Sequence, residues 1–437
     1  MGAGTRRQQF RYAVGLIAVL AILAPARASD IDAEPIHYAK AQPDNAVERL
    51  RDGLRNGQAK LDFDGDHGYL RSLLRALGVP ESSQTLVFSK TSLQRHRIGP
   101  KTPRALYFND DVYVGFCLRG DVLEVSAADP NLGTVFYTLD QHPGTPKFTR
   151  QTDSCLICHG SSATQGFPGH LLRSLKADSD GVPILSAGSH RTDHTSPFHE
   201  RWGGWYVTGT SGQQLHMGNQ FVRDKRGSAE LDLAAGSNVT DLSDRFTVGL
   251  YPTPHSDIVA LMVLEHQTEA HNRITRANFQ TRIALRDAAE LNKALGKPAE
   301  HQWDSTAGRI KSACEPLVKY LLMSGETALT EPVHGTSAFA REFAAKGPRD
   351  QRGRSLYEMD LEKRLFKYPC SFLIHSAAFD GLPAQAKEYV YRRFWEVLTG
   401  VDTGPDFAHL TPDDRRAILE ILSEIKHGLP AYWHLAP

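Results

Sequence analysis

The sequence predicts an α+β protein: a mixed N-terminal region with a small antiparallel sheet, a loop-rich middle, and a helical C-terminal half. Three observations carry this. Short β-rich runs alternate with turn residues between positions 85 and 141. Glycine, proline, serine and histidine crowd positions 142–240. Apolar residues recur at helical spacing from 255 onward.

Taken in order, Val47, Leu50 and Leu54 predict a helix over 44–57, and Tyr69, Leu70, Leu73, Leu74 and Leu77 another over 68–78. Asp62, Asp64 and Asp66 resemble the start of a calcium loop. His67 and Leu73 stand where that loop needs Gly and Glu, so calcium is rejected. Leu86–Phe88, Ala105–Phe108, Val112–Cys117, Val122–Val125 and Thr134–Leu139 read as a meander of strands. Trp202–Gly209 reads as one further strand. A long helix, or two, is expected over 255–296. Further helices are expected over 306–325, 336–345, 355–376, 384–398 and 412–427. Thr411-Pro412-Asp413-Asp414 starts the last, with a capping residue, a first-turn proline and an acid at the third position.

At 437 residues the chain has room for two or three packed units. Lys plus Arg equals Asp plus Glu, at 50 each, so no basic excess points to nucleic acid. Arg6, Arg7 and Arg11 precede an uncharged apolar run from Tyr12 to Ala24, and Ala26-Arg27-Ala28 is a small-x-small site. This predicts a signal peptide over 1–28, with Ser29 opening the mature chain. The run is too short to span a bilayer. Removing it takes away four arginines and no acid, leaving a net charge of about −4. A periplasmic protein without a membrane span is expected. The organisation is then signal peptide 1–28, mixed region 29–141, loop-rich segment 142–254 and helical region 255–437.

The five cysteines are too few for a disulfide scaffold. Cys155-Leu156-Ile157-Cys158-His159 is C-x-x-C-H, the spacing for covalent attachment of haem c. Two thioether bonds need cysteines on one local turn, and the next histidine then reaches the iron. A redox C-x-x-C pair would want a βαβ context, and a zinc site a second close ligand pair; neither is present. Cys117, Cys314 and Cys370 lie in apolar runs and read as buried small residues, with a disulfide between two of them left open.

At this motif the chain resembles the bacterial c-type cytochromes. Gly166-Phe167-Pro168-Gly169 and Arg201-Trp202-Gly203-Gly204-Trp205-Tyr206 are similar to a family of large bacterial single-haem proteins with a cytochrome c domain. The resemblance implies one covalent haem c and no particular activity.

The sixth iron position decides between carrier and catalyst. Met217, 58 residues past His159 in a glycine-rich stretch, is the favoured ligand, so Cys155, Cys158, His159 and Met217 form the expected haem set. Met262, His266 and His271 compete, as does an open site. His190, His194 and His199, with Arg191, Asp193, Glu200 and Arg201, read either as a polar loop or as a distal pocket. Arg191 or Arg201 could instead pair with haem propionates. Phe198, Trp202, Trp205 and Tyr206 could cover a haem face or fill the core. The expected function is periplasmic electron transfer to a redox partner protein. A peroxidase-like or small-anion oxidoreductase and a haem-based sensor are the alternatives.

Overall fold

Strands buried on both faces build a sheet larger than the sequence suggests. The computed structural model describes residues 31–222 and 231–435; the expected signal peptide lies outside them. Strands β1 (Thr85–Val87), β2 (Arg104–Phe108), β3 (Val112–Phe116), β4 (Val122–Asp129), β5 (Gly133–Asp140) and β6 (Phe148–Gln151) form an antiparallel meander. β7 (Arg173–Leu175) and β8 (Ser189–Arg191) pair separately as a small ribbon. β9 (Trp205–Tyr206) returns to β1, giving the order β6-β5-β4-β3-β2-β1-β9. The seventh strand and β6 both come from the loop-rich middle, so that segment closes both edges of the sheet.

One face carries Tyr107, Val114, Val125, Val135 and Leu139. It packs on α1 (Ala46–Arg55) and α2 (Leu70–Ala76) through Val47, Leu50, Leu70 and Leu73. The Asn45 side chain caps α1, accepting from the N–H groups of Val47 and Glu48. The opposite face carries Val87, Phe108, Tyr113 and Ala128 and belongs to the core of the helical half. The remaining helices are α3 (Leu156–His159), α4 (Leu233–Gly236), α5 (Ile258–Ala294), α6 (Asp304–Leu321), α7 (Phe339–Ala344), α8 (Ala377–Asp380), α9 (Ala384–Leu398) and α10 (Pro412–Ile425).

The 255–296 segment is one helix, α5, of 37 residues and roughly 56 Å at 1.5 Å per residue. Every residue from Ile258 to Asn272 is buried, so this half of the helix is surrounded on all sides. Thr411 and Asp414 form the capping box that starts α10. No helix among the described residues is long and apolar enough to cross a membrane.

Two expectations are corrected. Residues 355–376 are not a helix: they are turns ending in a short 3-10 turn, Phe372–His375. The Asp360 carboxylate accepts from the N–H groups of Glu362 and Lys363 at 2.9 and 2.7 Å, a local alternative to helical bonding. Pro369 removes a further donor. Trp202–Gly209 is not one strand. Trp202 and Gly204 both have positive φ, 62° and 84°, and only Trp205–Tyr206 pairs with β1. Gly203 sits so close to Leu175 that a β-carbon would lie 2.6 Å from its carbonyl oxygen.

Leu261, fully buried in α5, is expected to lower stability by about 2–5 kcal/mol when replaced by alanine. Denaturant titration should show a lower midpoint at an unchanged slope. An unchanged midpoint would place Leu261 outside the core.

Candidate functional site: the Cys155–His159 turn and its supports

The motif folds as a single helical turn. The Cys155 carbonyl accepts from the N–H groups of Cys158 (3.3 Å) and His159 (2.9 Å), and the Asp153 carbonyl from Leu156 (3.0 Å). Both thiols are unpaired; Cys155 is half-buried and Cys158 exposed. Burial, with a smaller push from Glu124, raises the Cys155 thiol to about 11. A redox dithiol pair wants the reverse, a thiolate stabilised near neutral pH. Cys117, Cys314 and Cys370 are buried and unpaired, as small core residues.

His159 is held by its Nδ1, 2.9 Å from the Gly169 carbonyl oxygen. Donation there fixes the tautomer and leaves the Nε2 lone pair for a metal. Burial pulls this imidazole below its ordinary pKa, opposed by the Gly169 bond. The Gly169 N–H donates back to the His159 carbonyl at 2.9 Å, closing a loop between the two residues. Gln165 and Gly166, at φ 59° and 80°, turn the chain inside that loop. The His159 ring lies 5.0 Å from Phe136 of β5.

The support of that loop comes from α5. The Asn272 side chain accepts from the His170 N–H and donates to the His170 carbonyl, each at 2.8 Å. A β-carbon on Gly169 would lie 2.3 Å from the same Asn272 oxygen, so the close approach requires glycine. His170 is spent inside the protein: Nε2 lies 2.9 Å from the Ser126 hydroxyl and Nδ1 3.3 Å from that of Thr134. Its ring is 3.9 Å from Tyr113. Tyr113 in turn meets His271 Nδ1 at 2.9 Å. Burial holds His170 well below its ordinary pKa and His271 down at about 4, so both are neutral.

The other expected residues each have partners of their own. Met217 is buried, its sulfur 3.7 Å from the Ser174 hydroxyl and its N–H on the Arg201 carbonyl. None of these partners is shared with His159. Met262 is buried in the core of α5. His266 has both nitrogens engaged, with His194 at 2.8 Å and Ser371 at 2.7 Å. The nearby histidines of the 190–199 stretch diverge. His190 and His199 point outward, His190 toward Glu200 at 3.3 Å, while His194 is buried against His266 and Tyr320. Arg201 is also committed, to Glu265 at 3.3 Å and to the carbonyls of His194 and Ser196. Arg191 donates to the Ala163 carbonyl. Phe198, Trp202, Trp205 and Tyr206 are buried, Trp202 edge-on to Phe198 at 5.2 Å.

The residues present fit a haem c. The cysteine pair is free, and the imidazole presents one nitrogen oriented from behind. The sheet beside the turn is only partly covered, although Gly115 and Thr138 are buried there. Leu106, Gly115, Glu124, Thr138 and Thr149 form one cross-strand row. The adjacent row, Phe108, Tyr113, Ser126 and Phe136, is covered by His170 and α5. In the first row Leu106 and Glu124 are half-buried and Thr149 exposed. Ile157, on the motif turn itself, is 77% exposed.

Asn272, His170, Tyr113 and Glu265 were not among the expected site residues. For Glu265 and Asn272 the signal was the polar run Glu265-His266-Gln267-Thr268-Glu269 and His271-Asn272 directly after the apolar run Ile258–Leu264. No protein family, curated protein or solved structure matches this chain.

Burial, opposed by Arg201, raises the Glu265 carboxyl to about 7. The folded state therefore holds this proton when the unfolded chain, near 4.5, has lost it. Its contribution to stability falls as pH rises from about 4.5 to about 7. Glu265→Gln should remove that slope, so the stability of the variant relative to the parent should increase across this window in pH-dependent denaturation. Parallel curves would show that Glu265 is ionised throughout.

Proposed function

We propose that this chain is a periplasmic c-type cytochrome that transfers electrons through one haem bound at Cys155 and Cys158, with His159 as the axial ligand. The observation that carries the reading is the motif turn itself: two free thiols one turn apart, followed by an imidazole whose Nδ1 meets a carbonyl oxygen at 2.9 Å. When bound, haem supplies a one-electron couple at its iron.

The chain's own residues do the rest. The two thiols tether the group, so it stays with the protein in both oxidation states. Gly169 orients the imidazole through Nδ1, which raises its basicity toward the metal. Asn272 holds the backbone that carries Gly169. The exposed Cys158 and Ile157 leave this side of the turn open to a partner protein.

A second reading, a haem enzyme or sensor with an open sixth position, is favoured by one observation. Met217, His266 and His271 each already have another partner. The ferric spectrum separates the two. A low-spin iron with a methionine-to-iron band that disappears in Met217→Ala would support the carrier with that ligand. High-spin ferric iron that binds cyanide rapidly would overturn the carrier and support the open site.

The attachment itself is tested by Cys155→Ala/Cys158→Ala in a strain that matures haem c. A denaturing haem stain should be positive for the parent and absent for the variant. A stain that survives both substitutions would refute the proposal.

A further inference from the structure

We propose that the cleft between the 89–97 loop and β7 seats the carboxylate-bearing edge of the haem, with Lys90, Arg95, His96 and Arg173 taking the two propionates. This rests on the haem-c reading above and adds which residues receive the far edge of the group.

The cleft has a volume of about 590 Å³ and is lined by those four basic residues together with Leu175, Val182, Pro183 and Leu185. No acidic residue lines it. Among the described residues, no carboxylate pairs with Lys90, Arg95, His96 or Arg173; Arg173 donates only to the Ser189 hydroxyl, at 2.8 Å. The apolar part is open as well: Leu185 is 66% and Val182 45% exposed. Bare aliphatic side chains beside several uncompensated cations suit an amphipathic dianion. Its apolar body would cover the leucines and its carboxylates would meet the cations. A porphyrin with two propionates on one edge has this chemistry.

The cleft and the motif flank the same stretch of sheet. Gln94 and Ser92, within the cleft loop, reach the Glu124 carboxylate at 3.3 and 3.4 Å. Glu124 pairs with Arg104 at 2.6 Å, and Arg104 fills the space over Gly115 where a β-carbon would stand. Arg104 and Glu124 also act electrostatically on Cys155 and His159. Trp205, bonded to the Arg173 carbonyl at 2.9 Å, anchors the cleft over the β1–β9 edge. A group tethered at Cys155 and Cys158 and lying across the half-open row from β5 toward β2 would point its far edge here.

This placement also bears on the sixth ligand. Alternation along β7 turns Arg173 and Leu175 to the cleft and Ser174 to the opposite side, where Met217 lies.

The test uses the matured holoprotein. Arg95→Ala/Arg173→Ala is compared with the parent and with Lys311→Ala, a cation lining a different cleft. The haem stain should stay positive in all three, since the thioethers are untouched. In the double variant the reduction potential should fall, because cations beside the group favour the ferrous form, which carries one positive charge fewer, and the variant removes two of them. The haem carboxylate bands in resonance Raman spectra should also shift. Lys311→Ala should leave both unchanged, and Arg95→Lys should keep most of the parent potential. Unchanged potential and carboxylate bands in the double variant would overturn the inference while leaving covalent attachment standing. A parent without stain would overturn the haem reading and the inference together. Arg95→Ala alone, on an exposed side chain, gives the same readout if the double variant folds poorly.

Discussion

A helix surrounded on every side must find partners for most of the polar side chains it carries, and the organisation of this protein follows from the partners that α5 recruits. Leaving one such group unpaired in the interior costs about 1–3 kcal/mol. From Glu265 to Asn272 the helix is buried and almost wholly polar. Glu265 takes Arg201, His266 takes His194 and Ser371, His271 takes Tyr113, and Asn272 takes both main-chain polar groups of one residue, His170. These bonds reach four separate pieces of chain. Together they draw the 190–201 loop, the C-terminal turns, the sheet and the motif loop onto one helix.

The sheet answers a second constraint. Its first face is closed by α1 and α2, and one row of the second by α5 and His170. The neighbouring row keeps a half-buried ion pair, Arg104–Glu124, over a glycine. In a sheet otherwise packed on both sides, this is a row that the 89–97 loop reaches through Ser92 and Gln94. The candidate site is therefore a property of the sheet as much as of the five-residue motif.

Much of the fold was legible because periodicity is local. Strands β1 to β5 and the helices α5, α6, α9 and α10 follow from spacing and caps. The edge strand β6 was not legible, being short with half-exposed residues, and of the strand expected over Trp202–Gly209 only the two residues of β9 join this sheet. Residues 355–376 have helical spacing, but Asp360 offers the backbone a competing turn. At the site, Cys155, Cys158 and His159 are visible because the attachment chemistry proposed for them would fix their spacing. Asn272 is invisible in that sense: it acts across 102 positions through a main-chain peptide that carries no side-chain signature. The histidines of the 190–199 stretch mislead for the same reason, since adjacency in sequence says nothing about His190 facing solvent while His194 faces α5.

The distance in sequence between the motif turn and its support has a consequence for assembly. The turn closes on bonds between neighbours, Cys155 to Cys158 and His159. These can form as soon as that stretch of chain emerges. The grip of Asn272 on the 169–170 backbone requires α5 to be made and docked. The two cysteines are thus presented early and the orientation of the imidazole is completed late. On the proposed function, such a chain would be open to modification before the central helix docks, and the His159 imidazole would take its final orientation only afterwards.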